Sequence, residues 1–497
     1  MKAIKNIMIA LSGIALLASC DMDKFFELDR PESNPWLSVD DLEYSVADPY
    51  NTLFQNPNWQ APIGIIPYYQ ELVADLSTVN PQGAYEQEAL YWYPRQMSTF
   101  DVTGQQFEKT FSILYRSVTG ATSPLTYIEE KEKKEEPVFA NMTENDKKTL
   151  ARQTGELYFM RGYTYWLISR AFVAPYDPAG GEGNNRKFIP LINRLDYSQE
   201  SARNPYMGTV KEVYDQMLSD FAKAKSLMPE DYFVRGRANK FSAAMMLMRV
   251  KWLMGDKDGA LEEADYVITK AEAGVAPFDL TEEPIVAFNR NAEQQYTVDP
   301  VSKEVMFECA FTESNQGNNV AIPLARMCKT GIYNFKSKTF DASNKLWLEG
   351  ARGSQNWQHG GWACAYWNPR LIKYIGWAVT DDPMDLTNYV PSAEALADKR
   401  FTQLHYFLKN YTDGGDKTIH EMAYNKTKWN AFWNDKYYRA PYGKYSQVPL
   451  IRLAEAYLTR ATLVLSKNAS QALGDVNKIR QRAGLTPLKN VTEADIE

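Results

Sequence analysis

Two groups of aromatic side chains stand where a chain could grip a flat ligand with one apolar face. The first is Tyr85, Tyr91, Trp92 and Tyr93; the second is Trp347, Trp357, Trp362, Trp367 and Trp377. Within the second, Trp357-Gln358-His359-Gly360-Gly361-Trp362 combines rings, an amide and glycines. A ring face stacks on the apolar face of a pyranose, nearby amides and carboxylates bind its hydroxyls, and glycine permits close backbone approach. Trp92, Tyr91, Tyr85, Trp357, Trp362 and Trp367 are therefore the candidate ligand-binding residues. Any one of these rings alone is more simply explained as core packing; their clustering is what points to a site. The chain has 12 Trp, 31 Tyr and 22 Phe, more than a core needs, which favours rings on groove walls.

Catalytic patterns are missing. The sequence has no Gly-x-Ser-x-Gly elbow, no P-loop and no dinucleotide fingerprint. Its three histidines, His359, His405 and His420, form no metal-binding spacing. With 62 acidic residues a pair of carboxylates can always be found, so glycosidase chemistry gains no support from one. The expectation is a binding protein with no catalytic residue, no metal and no cofactor.

The N-terminus carries a different chemistry. Lys2 and Lys5 precede an apolar run from Ile7 to Leu17, which is too short to span a bilayer comfortably and suits a signal-peptide core. Leu17-Ala18-Ser19-Cys20 then resembles a bacterial lipobox, whose Cys is acylated and becomes the mature N-terminus. Cys20 is the expected lipidation site, and the acidic stretch from Asp21 to Asp29 a tether. The remaining cysteines, Cys309, Cys328 and Cys364, are odd in number and lack a CxxC, so a fully paired disulfide framework is excluded. A net charge of −7 without a basic block argues against a nucleic-acid partner. The mixed run Glu129 to Glu136 reads as a solvated loop or helix face.

Something rigid must hold these groups, and helical periodicity supplies it. Phe26 to Thr122 reads as mixed, with short helical patches. Thr143 to Ala174 reads as a long amphipathic helix, opened by a Thr143–Asp146 capping box and striped by Leu150, Leu157, Thr164, Leu167, Ile168 and Ala171. Thr209 to Leu227 is a second, with Glu212 completing its box and Val213, Met217, Phe221 and Ala224 on its buried stripe; it pairs with the first more loosely than later helices pair. Phe241 to Met254, capped by Asn239 and stopped at Gly255, joins Asp258 to Ala273 through a short turn. Ala260, Leu261, Ala264 and Ile268 after Gly255-Asp256 resemble a tetratricopeptide helix-turn-helix, in which small residues let helices approach. A similar unit spans Pro449 to Leu465 and Ala469 to Arg482. Between them, Pro277 to Tyr445 is rich in Asn, Gly, Trp and Tyr and reads as an irregular insertion, with Val305 to Phe311 a short strand or buried segment.

A series of strings in chain order resembles the SusD/RagB family of nutrient-binding lipoproteins. They are Leu28-Asp29-Arg30-Pro31 after the lipobox, Ala151 to Arg170 with Pro190-Leu191, and Thr209 to Tyr214 with Asp220 to Ala224. Gly236 to Ala243, Glu304 to Phe307, Asp398 to Phe401 and Ile451 to Glu455 follow. Val476-Asn477-Lys478-Ile479-Arg480 to Arg482-Ala483-Gly484-Leu485 is the most specific. The resemblance implies a mostly α SusD-like fold, with tetratricopeptide-type helix pairs as scaffold and a long irregular ligand-binding insertion. It also implies a non-enzymatic, lipid-anchored protein on the outer-membrane surface. Such a protein binds a nutrient, commonly a glycan, and delivers it to a SusC-like TonB-dependent transporter. The alternatives are a scaffold for protein interaction without small ligands, or a binder of peptides. The expected organisation is a signal peptide at 1–19, a lipidated acidic tether at 20–30, an N-terminal region and helical scaffold at 31–276, the ligand-binding insertion at 277–445 and a C-terminal helix pair at 446–497. Family members usually continue past this last pair, so truncation is an expectation too.

Overall fold

The computed structural model describes residues 36–54, 62–74, 76–79, 105–196, 198–288, 302–310, 365–380, 388–411, 429–434, 436 and 448–496, with three two-residue strands between 333 and 349. Cys20, Tyr85, Tyr91, Trp92, Tyr93, Trp347, Trp357 and Trp362 lie outside the described residues.

The first half is helical. Helix α1 (Val39–Phe54) and α2 (Pro62–Val73) lead to a short strand β1 (Ser77–Val79). Two 29-residue helices follow, α3 (Gln105–Lys133) and α4 (Glu144–Phe172). Strands β2 (Lys187–Pro190) and β3 (Met207–Thr209), with a short helix α5 (Gln199–Arg203) between them, form an antiparallel pair. Next come α6 (Val210–Leu227), α7 (Lys240–Leu253) and α8 (Lys257–Glu272).

The expected caps are present. Thr143 with Asp146, and Thr209 with Glu212, form reciprocal capping boxes, and Asn239 caps α7. Gly255 and Gly274 end α7 and α8 at φ +83° and +68°, a conformation glycine adopts without a Cβ penalty.

Two expectations fail here. The region before Thr122 holds most of a long helix, not only short patches. In α3, Gly120, Pro124 and several hydroxyl residues weaken the apparent helical signal. Its buried stripe is nevertheless regular: Leu114, Ser117, Val118, Ala121, Leu125 and Ile128. Small residues on that stripe let α3 approach α4, and Ser117 and Thr164 share a hydrogen bond of 2.9 Å across the contact. The second failure is the looseness assigned to the helix pair at Thr143 and Thr209. Gly155 and Gly162 of α4 lie against α6 so closely that a Cβ on Gly162 would meet the Phe221 ring at 3.0 Å and one on Gly155 would meet Met228 at 2.7 Å. The charged run behaves as expected, as the exposed end of α3 and its following turn, with Lys131 and Glu136 paired at 2.7 Å.

Beyond α8 the chain forms strand β4 (Val305–Cys309), three two-residue strands β5 (Tyr333–Asn334), β6 (Thr339–Phe340) and β7 (Leu348–Glu349), and β8 (Ala365–Trp367). Then come α9 (Pro369–Tyr374), β9 (Ala378–Val379), β10 (Val390–Pro391), α10 (Ala393–Ala397), α11 (Lys399–Leu404), β11 (His405–Tyr411) and β12 (Trp429–Asn434). The described chain closes with β13 (Val448–Arg452), α12 (Leu453–Val464), α13 (Ala469–Arg482) and a last turn α14 (Glu493–Ile496).

The expected helix from Pro449 therefore begins only at Leu453. Residues 448–452 form a strand antiparallel to β4 instead, with Pro449 opposite Glu308 and Ile451 opposite Phe307. Val448, Pro449 and Ile451 are buried there, which suits a branched, extended segment better than a helix start. Through this ladder Met306, Phe307 and Cys309 join the same core as α1, α4, α6 and α7. A second, smaller core gathers Ile372, Ala378, Tyr389, Ala395, Phe401, Phe407 and Phe432. Ala264 and Ala454 are buried in the main core, as the helix-pair reading requires. No helix among the described residues is long and apolar enough to cross a membrane.

The scaffold carries a repeated cassette. In α4, Glu156-x-Tyr158-x-x-Arg161 faces Asp220-x-x-Lys223 of α6; in α12, Glu455-x-Tyr457-x-x-Arg460 faces Asp475-x-x-Lys478 of α13. In each, the arginine grips the aspartate with two hydrogen bonds, and the lysine lies over the tyrosine ring at 4.5 Å and 4.6 Å. Each tyrosine hydroxyl also donates to a glutamate of a neighbouring helix, Glu129 of α3 or Glu272 of α8.

Candidate binding site

Strand β1 pairs antiparallel with β8, in the register Ser77 with Trp367, Thr78 with Tyr366 and Val79 with Ala365. The pairing follows from what flanks each strand. After α2, the chain turns and the Leu76 carbonyl accepts from the Asn368 N–H at 2.9 Å. Asn368 also caps α9, its side chain accepting from the Arg370 N–H while Pro369 fills the first helical position. Ser77 Oγ donates to Glu71 Oε2 at 3.0 Å, tying α2 to the first residue of β1.

Five of the candidate rings lie outside the described residues, in the segments that adjoin this ladder in sequence. Tyr85, Tyr91 and Trp92 follow Val79 in sequence, and Trp362 and Trp357 precede Ala365. Val79 and Ala365 are partners, so both segments start from one edge of one ladder.

Trp367 is the one candidate among the described residues, and it belongs to the support of this edge. Its ring is partly buried and packs on the smaller core. It meets His405 edge-on at 5.1 Å, and Trp377 meets the same imidazole at 5.0 Å. Phe401 stacks parallel to His405 at 6.1 Å. The Lys436 ammonium lies 6.0 Å from the Trp367 ring. Trp367 Nε1 is buried and has no hydrogen-bond acceptor. Burial pushes the Glu71 carboxyl above its usual range, against the opposing pull of Lys436 and the Ser77 hydrogen bond. Glu71, Ser77, His405 and Lys436 carry no motif, and only the tertiary structure brings them to this edge.

A concavity of about 630 Å³ lies elsewhere, between α6, α7 and α8. Glu263 is held there by Lys225 at 2.7 Å and Lys251 at 2.9 Å, and Lys225 covers the Tyr266 ring. Among the described residues no group of three or more His, Cys, Asp or Glu could hold a metal ion.

Comparison with known proteins places this geometry in context. Residues 55–251 match a SusD-like family model described as starch-binding and associating with the outer membrane, and residues 303–496 match the SusD/RagB family model. The chain is 25% identical over 354 residues to SusD-like protein P2 of Formosa agariphila, covering 70% of this chain and 59% of the relative. The chain thus spans about three-fifths of the length of that curated relative. Among solved structures, a SusD-like carbohydrate binding protein of Bacteroides vulgatus superposes with a TM-score of 0.62 at 15% identity, covering 93% of this chain and 79% of that one. A SusD superfamily protein of Bacteroides thetaiotaomicron gives 0.62 at 17%, covering 93% and 84%. At such identities the likeness is one of fold.

Proposed function

The chain belongs to the SusD/RagB family, and from that premise we propose that it is a cell-surface binding protein for carbohydrate, anchored to the outer membrane through a lipid on Cys20. Members of this family are binding proteins rather than enzymes. The ligand is an oligosaccharide, held by rings from the segments around Trp92 and Trp357–Trp362 and passed to a SusC-like TonB-dependent transporter.

The observation that carries this reading is the β1–β8 pairing. It brings the flanks of two aromatic groups, distant in sequence, to one ladder edge. One shared edge suits a ligand long enough to touch both segments. The test is affinity electrophoresis of the purified chain through gels containing a panel of plant, host and microbial polysaccharides. Retardation by at least one polymer, lost when Trp92, Trp357 and Trp362 are all replaced by Ala, is the expected result. Mobility unchanged in every gel would overturn it, as would hydrolysis of a retarding polymer.

A further inference from the structure

Outside the proposed carbohydrate edge, three arginines from three elements converge at the join between the C-terminal helix pair and the segment before it. Arg482 comes from the end of α13, Arg452 from the end of β13 and Arg400 from the first turn of α11. Glu304, fully buried, accepts from Arg452 Nη1 at 3.0 Å and from Arg482 Nη1, and its Oε2 also accepts from the Thr281 hydroxyl at 3.1 Å. Its two oxygens are therefore shared by two guanidiniums. Asp398 is occupied by Arg400, at 2.7 Å from Nη2 and 3.0 Å from Nε. Lys399 and Glu283 neutralise each other at 2.7 Å. Three guanidiniums thus meet two carboxylates.

Arg482, although paired with Glu304, keeps one donor unused. Its side chain is only 8% exposed, yet its Nε–H is buried without an acceptor. A buried N–H on a charged group lacking an acceptor is costly, so the guanidinium cluster gains from an additional acceptor close to it. Burial lowers the proton affinity of this guanidinium; Glu304 opposes that, and Arg452 and Arg400 add to it. The positive charge is crowded as well as buried. The two other arginines reach solvent, their side chains being 30% and 40% exposed. Arg452 is held in place by Phe288, its guanidinium carbon 4.6 Å from the ring centre.

We propose that this arginine cluster is a binding site for an oxyanion: a sulfate, a phosphate or a carboxylate group. Planar guanidiniums with free N–H groups suit such oxygens, and a single negative charge balances the cluster. The structural role of the Arg482–Glu304–Arg452 clasp does not by itself require a ligand, so the test reads anion dependence, not stability alone.

Thermal unfolding of the full chain is followed while chloride is replaced by sulfate, phosphate or glucuronate at constant ionic strength. The expected result is a saturable rise in melting temperature. Arg400→Gln, at the most exposed of the three, should raise the half-saturating concentration at least tenfold, each protein's rise being read against its own anion-free melting temperature, since the change also unpairs the buried Asp398. Arg482→Gln should abolish the anion response; should it not fold, the Arg400→Gln comparison stands on its own. Response to all three anions, or to sulfate and phosphate alone, supports the site and separates an acidic-sugar ligand from an inorganic one. No saturable rise, or an equal response in the Arg400→Gln protein, overturns the proposal.

Discussion

Arg161 of α4 grips Asp220 of α6 through two nearly parallel hydrogen bonds, Nε to Oδ2 at 3.0 Å and Nη2 to Oδ1 at 2.7 Å, with both side chains almost completely buried. The same guanidinium donates a third hydrogen bond to the Asn193 carbonyl at 2.8 Å. It therefore ties two helices and the loop after β2 at one point. Breaking a buried pair from one side strands a charge, which costs about 3–5 kcal/mol. Arg161→Met should destabilise the chain by that order in urea unfolding. Arg161→Met with Asp220→Leu should recover much of the loss, because no charge is then stranded. A single variant as stable as the parent would show that the clamp contributes nothing.

Close helix approach predicts intolerance of added volume. Ala264 is fully buried on α8. Ala264→Leu should cost roughly 1–3 kcal/mol by overpacking. Gly162→Ala should cost a similar amount, because the new Cβ would press on the Phe221 ring and the Asp220 Cβ. Unchanged melting temperatures would refute the contact at each position.

Glu71 supplies a pH dependence with a definite sign. Its folded carboxyl holds a proton above the ordinary 4.5, so the folded chain binds more protons than the unfolded chain in the window above that value. Stability from this group is then present at low pH and lost as pH rises through the raised value. Glu71→Gln removes the titration but keeps an oxygen for Ser77. The variant should gain stability relative to the parent as pH rises from 4.5 towards neutrality. Stability curves that run parallel across that range would contradict the assignment.

Ring substitutions should divide into two classes. Trp92→Ala, Trp357→Ala and Trp362→Ala should weaken glycan binding and leave unfolding nearly unchanged. Trp367→Ala should instead lower stability, by roughly 2–4 kcal/mol given its partial burial, because it removes the ring that meets His405. Binding in the micromolar to millimolar range, about 4–8 kcal/mol, is expected of a carrier that must release its cargo. Calorimetry alongside thermal unfolding separates the classes. Binding that survives all three of the first substitutions would place the site elsewhere.

Lipidation is tested on Cys20. A palmitate analogue fed to cells should label the parent and leave Cys20→Ala unlabelled. Equal labelling of the two would remove the anchor.

The sequence by itself determined the helical scaffold where its signals are local. Capping boxes at Thr143 and Thr209, the Asn239 cap and the glycine stops at Gly255 and Gly274 act within a few residues, so they can be read along the chain and recur in the structure. The SusD-like strings from Ala151 onward were legible for the same reason, as runs of neighbouring residues, and fall within the stretches that one or the other family model matches. What only the tertiary structure decided depends on partners far away in sequence. Pro449 and Ile451 extend rather than coil because β4 offers them a ladder. The long helix α3 hides behind Gly120 and Pro124, since its stability comes from packing on α1 and α4 more than from propensity. The Glu-x-Tyr-x-x-Arg cassette becomes a repeat only when Asp220 and Asp475 are seen to answer Arg161 and Arg460. The ladder joining Ser77 to Trp367 could not be read from the sequence either. Two- and three-residue strands carry too little pattern to announce themselves, and their pairing is set by α2, α9 and the aromatic packing around His405.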